Sequence, residues 1–383
     1  MSILPRVTRV LVAGDEHTGT LATVRALRAG GYVPYLAVSQ PRTYAERSRA
    51  TEETVRVPAP ESDPDAFLAA LAAAAVGFGV RAVLPASEAS VQALAGRGSD
   101  WPAGVVAGLP DAGAVARATS KAELARAAGE AGIRTPPTVE AARDEVAARA
   151  AEAGFPVIVK PLQSVVRGEG GTLLTTEIVR ARDAGALARA LADRPGERFL
   201  VQPFLEGALY AVAGLQWGGR LVCSAHQRTI RTWPVDAGGS SYAVTVDRDA
   251  VLDARVERLL AALGYDGVFQ LQFMLSRGEH FAIDLNPRPY GSLGLVVHAG
   301  LNLPSVWADV LLGREPRPTP ARAGVRYRVE EDDLRAIVAL RDWRGLLPRR
   351  RTKHAVFAWD DPAPLALTLA KLVSRARASR GRG

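Results

Sequence analysis

The stretch FAIDLNPRPYGSLG, residues 281–294, joins an apolar strand to an acid, an amide and an arginine. Strand side chains alternate between faces, so Phe281, Ile283 and Leu285 share one face while Asp284 and Asn286 share the other. Pro287 has no N–H to donate, which ends the strand and places Arg288 just beyond it. Upstream, GVFQLQFML and SRGEH lead into the same strand. A hairpin centred on Gly278 sets Gln272 opposite Asp284, because each lies six residues from the centre. In that register Gln272, Asp284 and Asn286 converge, and Leu271, Phe273, Ile283 and Leu285 pack on the opposite face. A slip of one residue would dismantle the group. Three oxygen donors beside a guanidinium suit a hard cation that holds phosphate.

The chain has 383 residues, enough for two or three domains. Its 48% hydrophobic and 23% charged residues are those of an ordinary globular protein. The run AFLAALAAAAVGFGV is too short to span a bilayer, and no secretory leader pattern opens the chain, so a cytoplasmic protein is expected. Cys223 is the only cysteine, which excludes an internal disulfide and a cysteine-rich zinc site. From Arg341 to Gly383 there are 11 Lys or Arg against 3 Asp or Glu, which accounts for the whole net charge of +8. That basic end lacks interleaved aromatics and any nucleic-acid fold signature, so a solvated tail is expected and a nucleic-acid partner is not.

Strands alternate with helices through the first segment: VTRVLVAG, GTLATVRALRAGG, YVPYLAVS, a helix near 66–76, RAVLPAS and EASVQALAGR. This order implies a parallel sheet covered by helices. The turn GDEHTG lacks the middle glycine of a dinucleotide fingerprint and reads as structural. A second segment opens with TSKAELARAAGEAGI, a helix capped by Thr119 or Ser120. A long helix over about 139–153 follows, then the strand GFPVIVKP ending in Lys160 and the glycine-rich turn QSVVRGEGGTLLTT. A third segment holds a hairpin turning at WGG, a helix over about 249–263 and the hairpin that ends in Asn286.

Lys121 in TSKAEL, Lys160 in VIVKP, RGEGG, LVQPFLEG, LQF and DLNPR stand in the order and spacing of the ATP-grasp superfamily. Over residues 113–313 the chain resembles that family, and NPRPYGSLGLVVHAGLNLP resembles its stand-alone carboxylate–amine ligases. The resemblance implies an α/β fold: two α+β ATP-grasp subdomains preceded by a Rossmann-like parallel domain. The corresponding boundaries are 1–112 for the preceding domain, 113–200 and 201–318 for the two subdomains, and 319–383 for a C-terminal extension with the basic tail.

Position by position, the resemblance assigns Lys121 and Lys160 to ATP phosphates. Arg167, Gly168, Glu169, Gly170 and Gly171 form a lid over the triphosphate, where glycine permits close backbone approach. Gln202, Pro203, Phe204 and Leu205 hold adenine, and Glu206 stands in for the acid that relatives place on the ribose. Gln272, Asp284 and Asn286 bind magnesium, or manganese in its place, and Arg288 neutralises the transferring phosphoryl group. Arg228, Arg231, Gly239, Ser240, Tyr290, Gly291 and Ser292 are the substrate-binding candidates. Gln272 and Asp284 depart from the acid and the Glu commoner at those positions.

The implied reaction is ADP-forming. A carboxylate is phosphorylated by ATP to an acyl phosphate and captured by an amine, the partners being small molecules. The resemblance is compatible with a homodimer. Carboxylation using a separate carrier, phosphotransfer to a stable product, and ATP binding without turnover are the competing readings.

Overall fold

The structure is a computed structural model that describes residues 8–14, 18–95, 101–108, 111–161, 165–167, 173–175, 179–192, 196–235, 238–347 and 352–370. It opens with strand β1 (Thr8–Ala13), helix α1 (Thr18–Ala29), β2 (Tyr32–Val38), β3 (Thr54–Arg56), α2 (Pro64–Gly77), β4 (Ala82–Pro85), α3 (Glu88–Leu94) and β5 (Val106–Ala107). The five strands are parallel and lie in the order β3-β2-β1-β4-β5. Asp63 caps α2 and Ser87 caps α3, each accepting a backbone N–H of the first turn.

Two short helices follow, α4 (Ala112–Thr119) and α5 (Lys121–Glu130). Ser120 ends the first and caps the second, so Lys121 begins α5. Next come β6 (Val139–Ala142), α6 (Val146–Ala153), β7 (Val157–Pro161), β8 (Val165–Arg167), β9 (Leu173–Thr175), β10 (Val179–Ala181), α7 (Ala184–Ala192) and β11 (Arg198–Pro203). The single helix expected over 139–153 is thus a strand followed by a helix. Val139 to Ala142 pair antiparallel with β11, and Glu140 meets Arg198 across that pair. Ladder bonds with a neighbour distant in sequence override the local helical pattern. Strands β10, β7, β11 and β6 form a four-stranded sheet, with β8 and β9 paired separately. Val157, Val159, Phe199 and Val201 are buried against Val146 and Ala150 of α6 and Leu187 of α7. Such burial is worth roughly 1.5–3 kcal/mol per large apolar side chain.

The rest of the chain builds β12 (Ala208–Trp217), β13 (Arg220–Trp233), β14 (Gly239–Val246), α8 (Ala250–Ala262), β15 (Gly267–Ser276), β16 (Glu279–Asn286), α9 (Leu293–His298), α10 (Leu303–Leu311), β17 (Arg326–Arg328), α11 (Glu330–Leu340) and β18 (Thr352–His354). Its sheet runs β16-β15-β12-β13-β14-β17-β18, so residues past 319 extend the same sheet. One face packs on α5 and α8 through Leu271, Phe273, Leu124, Leu259 and Leu260. The other meets α9, α10 and the first sheet through Ala213, Leu215, Leu293, Trp307, Val10 and Leu21. Beyond β18, Asp361 accepts from Arg25 of α1 and from the Arg49 backbone, fastening the C-terminal segment to the first domain. Among the described residues no helix is long and apolar enough to cross a membrane.

Candidate active site

The β15–β16 hairpin pairs Gln272 with Asp284 and Gln270 with Asn286. The means differ from a symmetric turn about Gly278. The hairpin closes in two residues, Arg277 and Gly278, both at positive φ (49° and 81°). A one-residue shift then separates Phe273↔Ala282 from Gln272↔Asp284, leaving Ile283 as a bulge. The bulge changes the faces. Ala282 and Leu285 pack into the core with Leu271 and Phe273, whereas Ile283, expected there, lines the cleft.

Asp284 forms an ion pair with Lys121, which the start of α5 brings across the cleft. The amide nitrogens of Gln272 and Asn286 both donate to Gln270 Oε1, at 3.3 and 3.2 Å. Because their nitrogens are engaged, their oxygens are left for the cleft. Gln270 in turn donates to Ser292 Oγ, and so does Gln227. These two buried glutamines were not found in the sequence, where they look like ordinary alternating strand residues. No group of three His, Cys, Asp or Glu stands together among the described residues, so the oxygen set has one carboxylate and two amides.

Lys160 lies in β7 on the face opposite Val157 and Val159, buried in the cleft wall. Burial, reinforced by the charge of Lys121, pushes its ammonium down to about 8. Arg288 is mostly buried. One nitrogen donates to Pro289 O at 3.0 Å, while Nε has no hydrogen-bond partner among the described residues. Burial lowers its pKa, and the charge of Glu88 opposes that.

Between the two sheets Ile158, Lys160, Gln202, Pro203, Phe204, Leu205, Leu209, Met274 and Ile283 line a cavity of about 260 Å³. Gln202 donates to Thr138 Oγ1 at 2.7 Å, and the Arg180 guanidinium lies 3.8 Å from the centre of the Phe204 ring. A second cavity of about 260 Å³ shares Lys160, Gln202 and Ile283 with the first and adds Lys121. Glu206 lines a different groove, beside Arg134 and Arg277, and not the cavity lined by the hinge residues. Of the expected lid, Arg167 ends β8 and pairs with Leu173, and residues 168–171 lie outside the described residues.

The substrate candidates divide. Gly291 O accepts from Thr18 Oγ1 at 2.7 Å, Ser292 holds the glutamine network, and Tyr290 is buried in the core. Ser240 Oγ meets Thr229 Oγ1, and Gly239 pairs with Trp233 near the cavity mouth. Arg231 is committed elsewhere: its fork binds Asp333 at 2.7 and 3.0 Å and Asp342 at 3.2 Å. Arg228 pairs with Tyr210, which pairs with Phe273, so it shares the face that packs on α8. The row Asp284–Gln272–Ala211–Gln227 occupies the other face. His226 also faces α8, bonded to Tyr210 Oη at 2.7 Å and Asp253 at 2.9 Å.

A parallel α/β domain ahead of two sheets that clamp a cleft defines an ATP-grasp architecture. Residues 196–333 match the family model described as ATP-grasp in the biosynthetic pathway with Ter operon. The chain is 31% identical over 195 residues to the carbamoyl phosphate synthase large chain of Gemmatimonas aurantiaca, covering 49% of this chain and 17% of that one. With the large chain from Micrococcus luteus it shares 29% over 307 residues, 75% of this chain and 26% of that one. It therefore spans about a quarter or less of these relatives. Among solved structures, the ADP complex of N5-carboxyaminoimidazole ribonucleotide synthetase superposes with TM-score 0.61 at 14% identity, covering 89% of this chain and 87% of that one. The L-amino acid ligase from Bacillus licheniformis gives 0.59 at 15%, covering 83% and 76%. The chain thus has the ATP-grasp fold and is similar to ATP-grasp proteins in sequence.

Proposed function

We propose that the protein is an ATP-dependent, ADP-forming ligase that activates a small-molecule carboxylate as an acyl phosphate and joins it to an amine. The observation that carries this is the convergence of Lys121 and Lys160 with Gln272 and Asp284 at one cleft, with Asn286 and Arg288 following at the end of the same strand. The sequence likeness to carbamoyl phosphate synthase large chains supports it. Gln202 to Leu205, with Ile158, Met274 and Ile283, offer a mainly apolar slot for adenine. Lys160 and Lys121 supply positive charge where the triphosphate would leave that slot.

The oxygen donors fit magnesium. Asp284 already faces a cation, the Lys121 ammonium, and the two amide oxygens are turned outward by the bonds to Gln270. Gln272, Asp284 and Asn286 would hold the ion, which when bound would neutralise phosphate charge and polarise the transferring group. Arg288, with an unpartnered Nε, would hold the carboxylate and the phosphoryl oxygens together as charge develops. The acyl phosphate then loses phosphate to an attacking amine, and water must be kept out until it does.

The test is a screen of carboxylate and amine pairs for ADP and phosphate release, with mass spectrometry of products. Hydroxylamine without the amine should give an ATP-dependent hydroxamate, and an ¹⁸O-labelled carboxylate should pass label to phosphate. AMP in place of ADP, with no label in phosphate, means adenylation and overturns the reading.

A further inference from the structure

The amino ends of the first sheet hold a cluster that the ligase reading leaves unused. Strands β2, β1 and β4 are adjacent and parallel, so their first residues lie side by side. Thr8 pairs with Tyr32, Arg9 pairs with Val33, and the Arg81 N–H donates to Arg9 O at 2.9 Å. A groove of about 740 Å³ opens there. Arg9, Arg81 and Arg314 line it, with Val33, Tyr35 and Leu312 as apolar wall. Among the described residues, none that lines this groove also lines the cleft between the two later sheets.

Neutral oxygens hold these guanidiniums in place. Arg9 Nη1 donates to Phe78 O at 3.0 Å, and Arg81 Nε donates to Gly104 O at 3.1 Å. Arg314 donates to Tyr32 Oη at 3.1 Å and to Thr8 Oγ1 at 2.7 Å, with Asp309 at 3.8 Å. Carbonyls and hydroxyls orient a fork without cancelling its charge. Among the described residues Arg9 and Arg81 form no ion pair, and Glu52, the acid that lines the groove, is taken by Arg28 at 2.7 Å. The wall is braced as well: the Tyr35 ring stacks on Phe78 with centroids 4.5 Å apart, and Phe78 is the residue that fixes Arg9. Like charges gathered in a concavity focus their field on whatever enters it. An anion is what they lack.

We propose that this groove binds the phosphate group of a soluble phosphorylated metabolite, at a site separate from the cleft and independent of the ligase reading. Guanidinium forks match phosphate oxygens two at a time, and Arg81, engaged only through Nε, keeps its outer nitrogens for that contact. The apolar wall of Val33, Tyr35 and Leu312 receives the rest of the molecule. Concavity decides for a small ligand. The volume falls within the roughly 300–1,000 Å³ of ligand pockets, whereas a flat membrane would meet the rim and not the floor. The site binds only; no bond forms or breaks at it.

The experiment titrates the full chain with glycerol 3-phosphate by calorimetry, the cleft first being filled with magnesium and a non-hydrolysable ATP analogue. The wild type should bind the probe. Arg9→Gln/Arg81→Gln should weaken that binding by about a hundredfold, about tenfold for each charge-assisted hydrogen bond lost, at an unchanged melting temperature. Arg81→Lys keeps the charge and loses the planar fork, so it should fall between the two, and it decides the matter should the double variant fold poorly. Equal affinity in wild type and variants, or no binding by the wild type, overturns the proposal. A parallel arm uses vesicles of phosphatidylcholine and phosphatidic acid. If the double variant sheds vesicle binding while the wild type ignores glycerol 3-phosphate, the phosphate is a lipid headgroup and the soluble ligand is ruled out. Displacement of the wild type from vesicles by glycerol 3-phosphate, absent in the double variant, supports the groove as drawn.

Discussion

Two sets of buried cations end up in opposite situations. In one, Arg231 is 8% exposed in its side chain and sits on Asp333, which is fully buried, with Asp342 beside it. Arg328 adds a second ion pair to Asp333 at 2.7 Å, and Arg231 lies 4.7 Å from the Tyr242 ring centre. In the other, Lys160 in the cleft wall and Arg288 just past β16 are buried with no carboxylate in contact among the described residues. Removing a cation from water is costly, and a fold tolerates it where an anion supplies compensation. The first cluster carries its own anion and is structural. The second lacks one, and such groups gather where a ligand brings it.

The contrast can be broken most directly at its two arginines. Arg288→Ala should reduce ligase turnover by about a thousandfold, the upper range for losing a preorganised donor to developing charge. Its melting temperature should stay level or rise, because an uncompensated buried charge is removed. Arg231→Ala should do the reverse. It strips Asp333 of a bidentate partner, and with Arg328 still in place the loss should be about 3 kcal/mol, the low end for breaking a buried pair. Turnover per folded molecule should hold. Denaturant melts and initial rates on both variants decide; a catalytically dead but stable Arg231→Ala protein would abolish the distinction.

The sequence carried much of this and hid the rest for identifiable reasons. Parallel α/β order, the Ser120 cap and the pairing of Gln272 with Asp284 were legible because they depend on neighbours close in the chain. Even so, the pairing arises from a two-residue turn plus a bulge, so Ile283 was assigned to the wrong face. The strand at 139–142 was hidden because its partner is β11, more than fifty residues on. Asp333 lies 102 residues from Arg231, so nothing local told Arg231 from Arg288. Gln270 carries no motif, and only the fold brings it to the cleft.

Lys160 sharpens the contrast through pH. Its folded pKa, pushed down to about 8, lies below the unfolded value of about 10.4. The folded state therefore binds fewer protons between those values. The burial penalty is fully present below pH 8 and is relieved as pH rises toward 10.4, opposite in sign to an ion-paired lysine. Bound phosphate should raise that pKa again. Nucleotide affinity should be flat below pH 8 and then weaken by up to about tenfold per pH unit above it. Calorimetry near pH 8 in two buffers of different ionisation heat should show uptake of about half a proton on binding. Lys160→Arg should remove both signals; a pH-independent affinity through 9 would mean that Lys160 does not meet the nucleotide.

The smallest effect belongs to Arg228, a third arginine in the same half. Ligase resemblance makes it a substrate candidate, and its exposure leaves its fork accessible. The register argues otherwise. Arg228 pairs with Tyr210 on one side and Val244 on the other, and Tyr210 pairs onward with Phe273. In-register neighbours share a face, so Arg228 projects with Tyr210 and Phe273 on the α8 side, away from Gln227, Gln272 and Asp284. Reaching the cleft would require its side chain to pass through the sheet. Arg228→Ala should therefore change kcat/KM for either substrate by less than about twofold and stability by less than about 0.5 kcal/mol, as for an exposed residue outside any network. A tenfold rise in KM for the carboxylate would mean that the hairpin turns over when substrate binds, and the division into paired, unpaired and exposed arginines would then describe only the unliganded protein.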